Sequence, residues 1–246
     1  MRDTQDQLLV GGARAVETLL THFPSRIYEM WFVGETRGRR GELIDRARAL
    51  SIPVIRKKKE RFAEVSIDSN HQGVALLVKP QEYVALGTLL CADNPLIIAF
   101  DQVTDPRNLG ASLRSAEALG GTGAVITKNR CARLGPTVCK TSVGASEVLP
   151  VAMETNLARA ISDAKDGGAL VLGTAFDGRP PSEFDLSGPT MIVVGSEGKG
   201  LRPSTESACD AIVTIPMMGR TASLNASVAA SVVLYEALRQ RLADNR

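Results

Sequence analysis

The sequence predicts an α/β fold in which a larger C-terminal part carries a mostly parallel sheet and a smaller α/β unit precedes it. Three observations carry that expectation. Near-continuous apolar runs of strand length, LIIAF at 96–100, MIVV at 191–194 and AIVTI at 211–215, alternate with stretches of helical spacing. Parallel strands covered on both faces require such runs, and alternation with helices marks the α/β class. The pattern also breaks and restarts: residues 79–94 (KPQEYVALGTLLCADN) have weak periodicity and are bracketed by Pro80 and Pro95. Finally, 246 residues with 44% hydrophobic content are enough for two cores.

In chain order, the spacing predicts a helix at 13–20, a strand at 28–33 (YEMWFV), a helix at 41–50 and short strands at 52–55 and 74–78. These make residues 1–79 a compact first domain. Residues 80–94 read as a linker with one or two helical turns, and 95–246 as the second domain. That domain opens with the strand at 96–100, then a helix at 109–119 and a strand at 124–127. Strands at 169–173, 191–194 and 211–215 come next, with helices at 157–165, 203–209 and 225–242.

The bulk chemistry excludes several classes. Cys91, Cys131, Cys139 and Cys209 fall at no CxxC spacing, so neither a zinc site nor a disulfide framework is signalled and a reducing cytoplasm is expected. The opening MRDTQDQLLVGG lacks the apolar core of a signal peptide, and no run approaches the ~18 apolar residues of a membrane span. A soluble cytoplasmic protein without a membrane partner is the expectation. Charge is informative only locally. Residues 1–82 hold 14 Lys or Arg against 11 Asp or Glu (+3), and the remainder 15 against 16 (−1). The cations concentrate at Arg37, Arg39 and Arg40 and in the run Arg56, Lys57, Lys58, Lys59 and Arg61. Either group could neutralise phosphates, although an isolated basic run is more often a solvated face.

Ligands of open α/β sheets bind beyond the carboxyl ends of the strands, which directs attention to the loop after each apolar run. After LIIAF comes DQVTDPRNLGASLRSAEALG, after MIVV comes GSEGKGLRP, and after AIVTI comes PMMGRTASLNASVAAS. Each carries Gly, Pro or Asn just before a helix, allowing tight turns and close ligand approach. Singly they say little: Asn108, Ser223 or Asn225 could simply cap helices, Arg114 could be a surface residue and Glu197 a solvated one. The turn GSEGKG fits neither GxGxxG nor GxxxxGK[ST], which argues against a dinucleotide oxidoreductase and a P-loop nucleotidase.

Together the three loops resemble the signature motifs of the TrmH (SpoU) family of RNA ribose 2′-O-methyltransferases. The resemblance rests on Asn108, Gly110 and Arg114 in NLGASLR and on Gly195, Glu197, Gly198 and Gly200 in VGSEGKGL. It also rests on Ile215, Pro216, Met217, Ser223, Leu224, Asn225 and Ser227 in IPMMGRTASLNASVA. It covers roughly residues 96–242, and GGARAVETLL and HQGVAL in the first domain are similar to the ribosomal-protein-like RNA-binding domain of many family members. It implies a deep trefoil knot, which general topology rules would have made improbable, and a homodimer with active sites near the subunit interface. It also implies S-adenosylmethionine as cofactor and RNA as partner, with a guanosine of large-subunit ribosomal RNA as the first choice of target. Transfer RNA, or a catalytically silent RNA-binding assembly factor of the same fold, are the alternatives.

A ribose hydroxyl is a poor nucleophile until its proton is removed or its developing charge is stabilised, whereas a sulfonium leaves as a neutral sulfide and needs no acid and no metal. By the resemblance, Arg114 is the catalytic arginine. Always protonated, it suits orientation of phosphate and hydroxyl and oxyanion stabilisation better than a base's role. Asn108 and Asn225 would fix the ribose, Glu197 would hold Arg114 or substrate, and Ser223 would orient the hydroxyl. Thr174, Gly195, Gly200, Ile215, Met217 and Leu224 would line the cofactor pocket. The two histidines, His22 and His71, lie in the first domain, far in sequence from these motifs. The basic residues at 37–40 and 56–61 would supply the phosphate contacts that a net-acidic catalytic domain lacks.

Overall fold

The computed structural model describes residues 7–58, 60, 62, 72–221 and 223–244, and the chain divides into two compact units. Residues 1–82 with 134–148 make the first, and 83–133 with 149–246 the second.

The first unit opens with β1 (Leu8–Gly11), α1 (Ala13–His22), β2 (Ile27–Phe32), α2 (Arg39–Ala49), β3 (Val54–Arg56) and β4 (Val74–Val78). Among the described residues these strands pair in the order β1-β4-β2-β3, antiparallel except for β2 with β3. Strand alternation sorts the side chains onto two faces. Met30, Phe32, Val74, Leu76 and Val78 meet Val16, Leu19 and Leu20 of α1 and Leu43, Ile44 and Ala47 of α2. Trp31 and Ala75, one residue out of phase, instead join Leu9 and Phe62 on the opposite side. The α1 residues Ala15, Val16, Leu19 and Leu20 repeat at helical spacing, so burial of one stripe rather than propensity holds the helix.

The second unit begins with α3 (Leu86–Leu90), the helical turn expected in the connector, then β5 (Leu96–Asp101), α4 (Pro106–Ala118) and β6 (Gly123–Thr127). The chain then forms α5 (Pro136–Thr141) and α6 (Ala145–Val148) in the first unit, where Cys139 enters the α1–α2 core. The buried Glu147 carboxylate accepts a 2.7 Å hydrogen bond from Arg26 there. Back in the second unit come β7 (Val151–Glu154), α7 (Leu157–Asp166), β8 (Leu170–Arg179), β9 (Thr190–Gly195), α8 (Pro203–Glu206), β10 (Ala211–Val213) and α9 (Ala226–Asp244).

The second sheet is parallel throughout, in the order β10-β8-β9-β5-β6-β7. β5, β6 and β9 are buried at every residue, as their unbroken apolar runs require. Leu157, Ala160, Ile161 and Ala164 of α7 cover one face. On the other, α9 packs against β9 and α4 against β5 and β6, and the two helices pack on each other. The chain runs β5-β6-β7 in one direction, crosses to β8 and returns through β9 to the side of β5. The crossover makes the β5–β9 junction a switch point, where strand loops part and leave a crevice at the carboxyl ends.

Candidate active site

The loop after β9 is shaped by its glycines. A Cβ on Gly195 would lie 2.3 Å from the carbonyl carbon of Gly200, so only glycine lets the two backbones approach. Ser196 and Gly200 exchange backbone hydrogen bonds of 3.0 and 2.9 Å, closing a tight turn in which Gly198 and Gly200 take φ of 78° and 66°. Glu197 sits at the tip. The far end is latched by Asp101, the fully buried last residue of β5, which accepts bonds from the Arg202 backbone N–H at 2.8 Å and from Arg202 Nε at 2.7 Å. A buried carboxylate needs such a partner, and this one joins the loops of the two strands flanking the switch point.

Beside that turn, β8 breaks its pairing with β10. Ile212 pairs with Gly173 but Val213 with Arg179, so residues 174–178 arch out of the ladder. Thr214 pins the arch: its N–H donates to the Arg179 carbonyl at 2.9 Å and its hydroxyl to the Phe176 carbonyl at 2.9 Å. Thr174 donates at 3.2 Å to the Val193 carbonyl. The space opened is a cleft of about 620 Å³, lined by Thr174, Ala175 and Phe176 from the arch, Gly195 to Gly198 and Gly200 from the turn, and Val213, the last residue of β10, with Thr214 to Met217 beyond it. Ser223, Leu224, Asn225 and the first turns of α9 complete it. All six residues expected around the cofactor, Thr174, Gly195, Gly200, Ile215, Met217 and Leu224, thus face one cavity. Its size falls within the ~300–1,000 Å³ of small-molecule sites.

The expected catalytic residues divide. Asn225 Nδ2 donates to Asn108 Oδ1 at 3.0 Å and to Glu197 Oε1 at 2.5 Å, tying together the loops after β5, β9 and β10. Its Oδ1 accepts from the Ser227 N–H at 2.9 Å and hydroxyl at 2.6 Å, which makes Asn225 the cap of α9 as well. One amide thus both caps α9 and ties three loops together, where the sequence offered capping and site chemistry as rival readings of Asn225. The helix start also places its positive dipole end beside the Glu197 carboxylate. Glu197 Oε2 and Asn108 Nδ2 remain without a hydrogen bond among the described residues. Asn108 itself is not a cap: Asp105 caps α4, its Oδ1 accepting from the Arg107 N–H at 2.8 Å, a role signalled by the Asp-Pro pair. Ser223 lies on the cleft wall.

Arg114 is not brought to this cluster. Six residues after Asn108, it sits ~9 Å further along α4 and about a third of a turn around it. Ser115, in line with Asn108, faces α9 and accepts a 2.7 Å bond from the Ser231 hydroxyl. Arg114 is exposed, forms no ion pair or hydrogen bond among the described residues and does not line the cleft.

In the first unit the expected RNA-facing cations also separate. Arg37 is exposed in a 3.8 Å pair with Glu35, and Arg39 pairs with Glu17. Arg40 is engaged internally: its guanidinium donates to the carbonyls of Glu35 (2.8 Å) and Gln72 (3.3 Å), with Gly34 and Gly73 leaving room for it. Lys57 lies over the Trp31 ring at 4.4 Å, while Arg56 and Lys58 are exposed. Lys59, Arg61 and His71 lie outside the described residues.

A parallel sheet whose loops after β5, β9 and β10 converge beside a cleft fits a small-molecule site of an α/β fold. Comparison with known proteins narrows the class. The model of the SpoU rRNA Methylase family matches residues 95–235, and that of RNA 2′-O ribose methyltransferase substrate binding matches 9–84. The chain belongs to the SpoU rRNA methylase family. It is 39% identical over 241 residues to the 23S rRNA (guanosine-2′-O-)-methyltransferase RlmB of Pseudomonas syringae, covering 96% of each chain. It is 40% identical to an uncharacterized tRNA/rRNA methyltransferase of Mycobacterium ulcerans, covering 98% of this chain and 79% of that one. Among solved structures it superposes on the SpoU methyltransferase AviRb of Streptomyces viridochromogenes in complex with AdoMet, with TM-score 0.81 and 26% identity over 97% and 92% of the two chains. The A. aeolicus TrmH/SpoU tRNA modifying enzyme aligns over 65% of this chain and 84% of that one, with TM-score 0.57 and 27% identity.

Proposed function

We propose that this chain is an S-adenosylmethionine-dependent RNA methyltransferase acting on a ribose 2′-hydroxyl, with a guanosine of large-subunit ribosomal RNA as its substrate. The observation that carries the reading is the Asn108–Asn225–Glu197 cluster set against a cleft of the right size for the cofactor. RlmB relatives spanning the whole chain support the ribosomal substrate.

The cleft suits the cofactor. Its glycine turn allows close backbone approach, and its lining combines apolar Ile215, Met217 and Leu224 with the hydroxyls of Thr174, Ser196 and Ser223. The cofactor supplies an electrophilic methyl group. The protein's task is to hold the ribose and its proton. Asn225, with both amide hydrogens and its oxygen engaged, positions the other two rather than binding ribose itself. Glu197 Oε2 then offers an acceptor and Asn108 Nδ2 a donor for the sugar. Ser223 orients the hydroxyl from the cleft wall. Arg114, exposed and outside the cleft, holds a phosphate of the RNA strand that carries the ribose.

Residues 1–79 act as the substrate-RNA domain and 95–246 carry the methyltransferase domain, whose knot the family resemblance implies; of the linker expected at 80–94, α3 packs into the second unit. A homodimer accords with α9, where Val228, Val232, Tyr235 and Leu242 form an exposed stripe at heptad-like spacing. We place the protein in the cytoplasm, where its RNA is found; no helix among the described residues is long and apolar enough to cross a membrane.

The test is to incubate the protein with methyl-labelled cofactor and total RNA lacking the modification, then separate the RNA by size. Label in large-subunit ribosomal RNA supports the reading. Label confined to transfer RNA overturns the substrate, and none with cofactor bound overturns the activity.

A further inference from the structure

The loop after β6 carries three cations and no carboxylate between Lys128 and Arg133 (KNRCAR). It is firmly built. Lys128 N–H donates to the Glu154 carbonyl at 2.7 Å, Thr127 Oγ1 to the Asn129 carbonyl at 3.0 Å, and Ala132 N–H to the Val103 carbonyl at 2.9 Å. The Arg133 guanidinium closes the loop on the Lys128 carbonyl. Arg133 is thereby used internally. Lys128 and Arg130 are exposed, and neither forms an ion pair among the described residues.

Position gives the loop its meaning. Phe100 of β5 is the register partner of Ile126 of β6 and, on its other side, of Val194 of β9. At the carboxyl end the turn with Glu197, the segment leading to Asn108 and the Lys128–Arg133 loop therefore emerge in a row, with strands ~4.8 Å apart. The Val103–Ala132 bond joins the last two directly. On the other side of Glu197, β8 and β10 build the cofactor cleft. The β5–β6 side, away from the cleft, is thus an approach for a polyanion delivering a ribose to Glu197 and Asn108. Arg107 and Arg114, seven residues apart on one exposed face of α4, add two cations to that approach.

We propose that Lys128 and Arg130 form a phosphate-binding site for the RNA strand flanking the target ribose, so that the catalytic unit grips its substrate independently of the first unit's basic residues. The proposal rests on the RNA-methyltransferase reading above. A guanidinium and an ammonium on a fixed loop suit phosphates, which position the strand without reading its sequence.

The test uses the full-length protein and an unmodified large-subunit ribosomal RNA transcript. K128A/R130A should raise the KM for RNA about tenfold and flatten the dependence of log binding constant on log salt by about 0.9 for each phosphate no longer neutralised. It should leave kcat and cofactor affinity within about twofold, and K128R/R130K should restore binding. Unchanged KM and unchanged salt slope in K128A/R130A would overturn the proposal. A wild type that binds the transcript without methylating it would count against the functional reading instead, and the salt slope would still decide for or against the loop.

Discussion

At the residue scale, the site depends on a few atoms that have no substitutes. Gly195 is the clearest: with a Cβ 2.3 Å from the Gly200 carbonyl carbon, the turn cannot close. Gly195→Ala should weaken cofactor binding at least about 100-fold, roughly 2.7 kcal/mol, by titration calorimetry. Unchanged affinity would show that the turn does not shape the pocket. Arg114 should behave oppositely. Because it does not line the cleft, Arg114→Ala should lower methyl transfer at least about 100-fold while cofactor affinity stays within about twofold. The thiols offer a further check, since the thiolate is the reactive form. Burial pushes Cys139 well up, with nearby Glu147 adding to it, and burial followed by the charge of Asp210 takes Cys209 up to about 12. Both remain neutral thiols at pH 8. Iodoacetamide should then label the exposed Cys91 first and Cys139 and Cys209 last, as peptide mapping will show.

At the scale of elements, the fold was legible wherever burial on two faces or one stripe dictates pattern. The runs at 96–100 and 191–194 read as parallel strands and are; the helix expected at 225–242 is α9 at Ala226–Asp244. β1 and β7 are four residues each, too short for periodicity to register, and α5 and α6, of six and four residues, are short helices held by packing. The strand expected at 169–173 runs on to Arg179 because Thr214 supports its arched end. That support comes from about 40 residues later in the chain, and local pattern cannot show it. Asp101, which closes the run LIIAFD, is likewise a site residue that the pattern hides: its one hint is a carboxylate ending an apolar strand, and its partner Arg202 is 101 residues away. Asp101→Ala removes one side of a half-buried pair and should cost about 3 kcal/mol, a fall in Tm of roughly 6–12 °C by calorimetry. A change under about 1 °C would show that the latch carries no stability.

At the scale of the whole molecule, the division into units is less simple than the chain order suggests. Residues 134–148 leave the parallel-sheet unit to place Cys139 and Glu147 in the first, which no composition change announces. A fragment of residues 83–246 should therefore expose Cys139 to rapid alkylation, against slow labelling in the full chain; equal rates would mean that the first unit does not cover it. The candidate site was more legible than this division, because its residues lie in three contiguous motifs. What the motifs could not reveal was the hydrogen bonding that makes Asn225 the hub and leaves Arg114 outside the cleft.

Alkaline hydrolysis of RNA labelled by this protein shows whether the methyl group goes to a ribose oxygen. A 2′-O-methyl group blocks cleavage at its own phosphodiester, so the label should appear in alkali-stable dinucleotides from large-subunit ribosomal RNA. Label released in mononucleotides would place the methyl on a base and rule out ribose methylation.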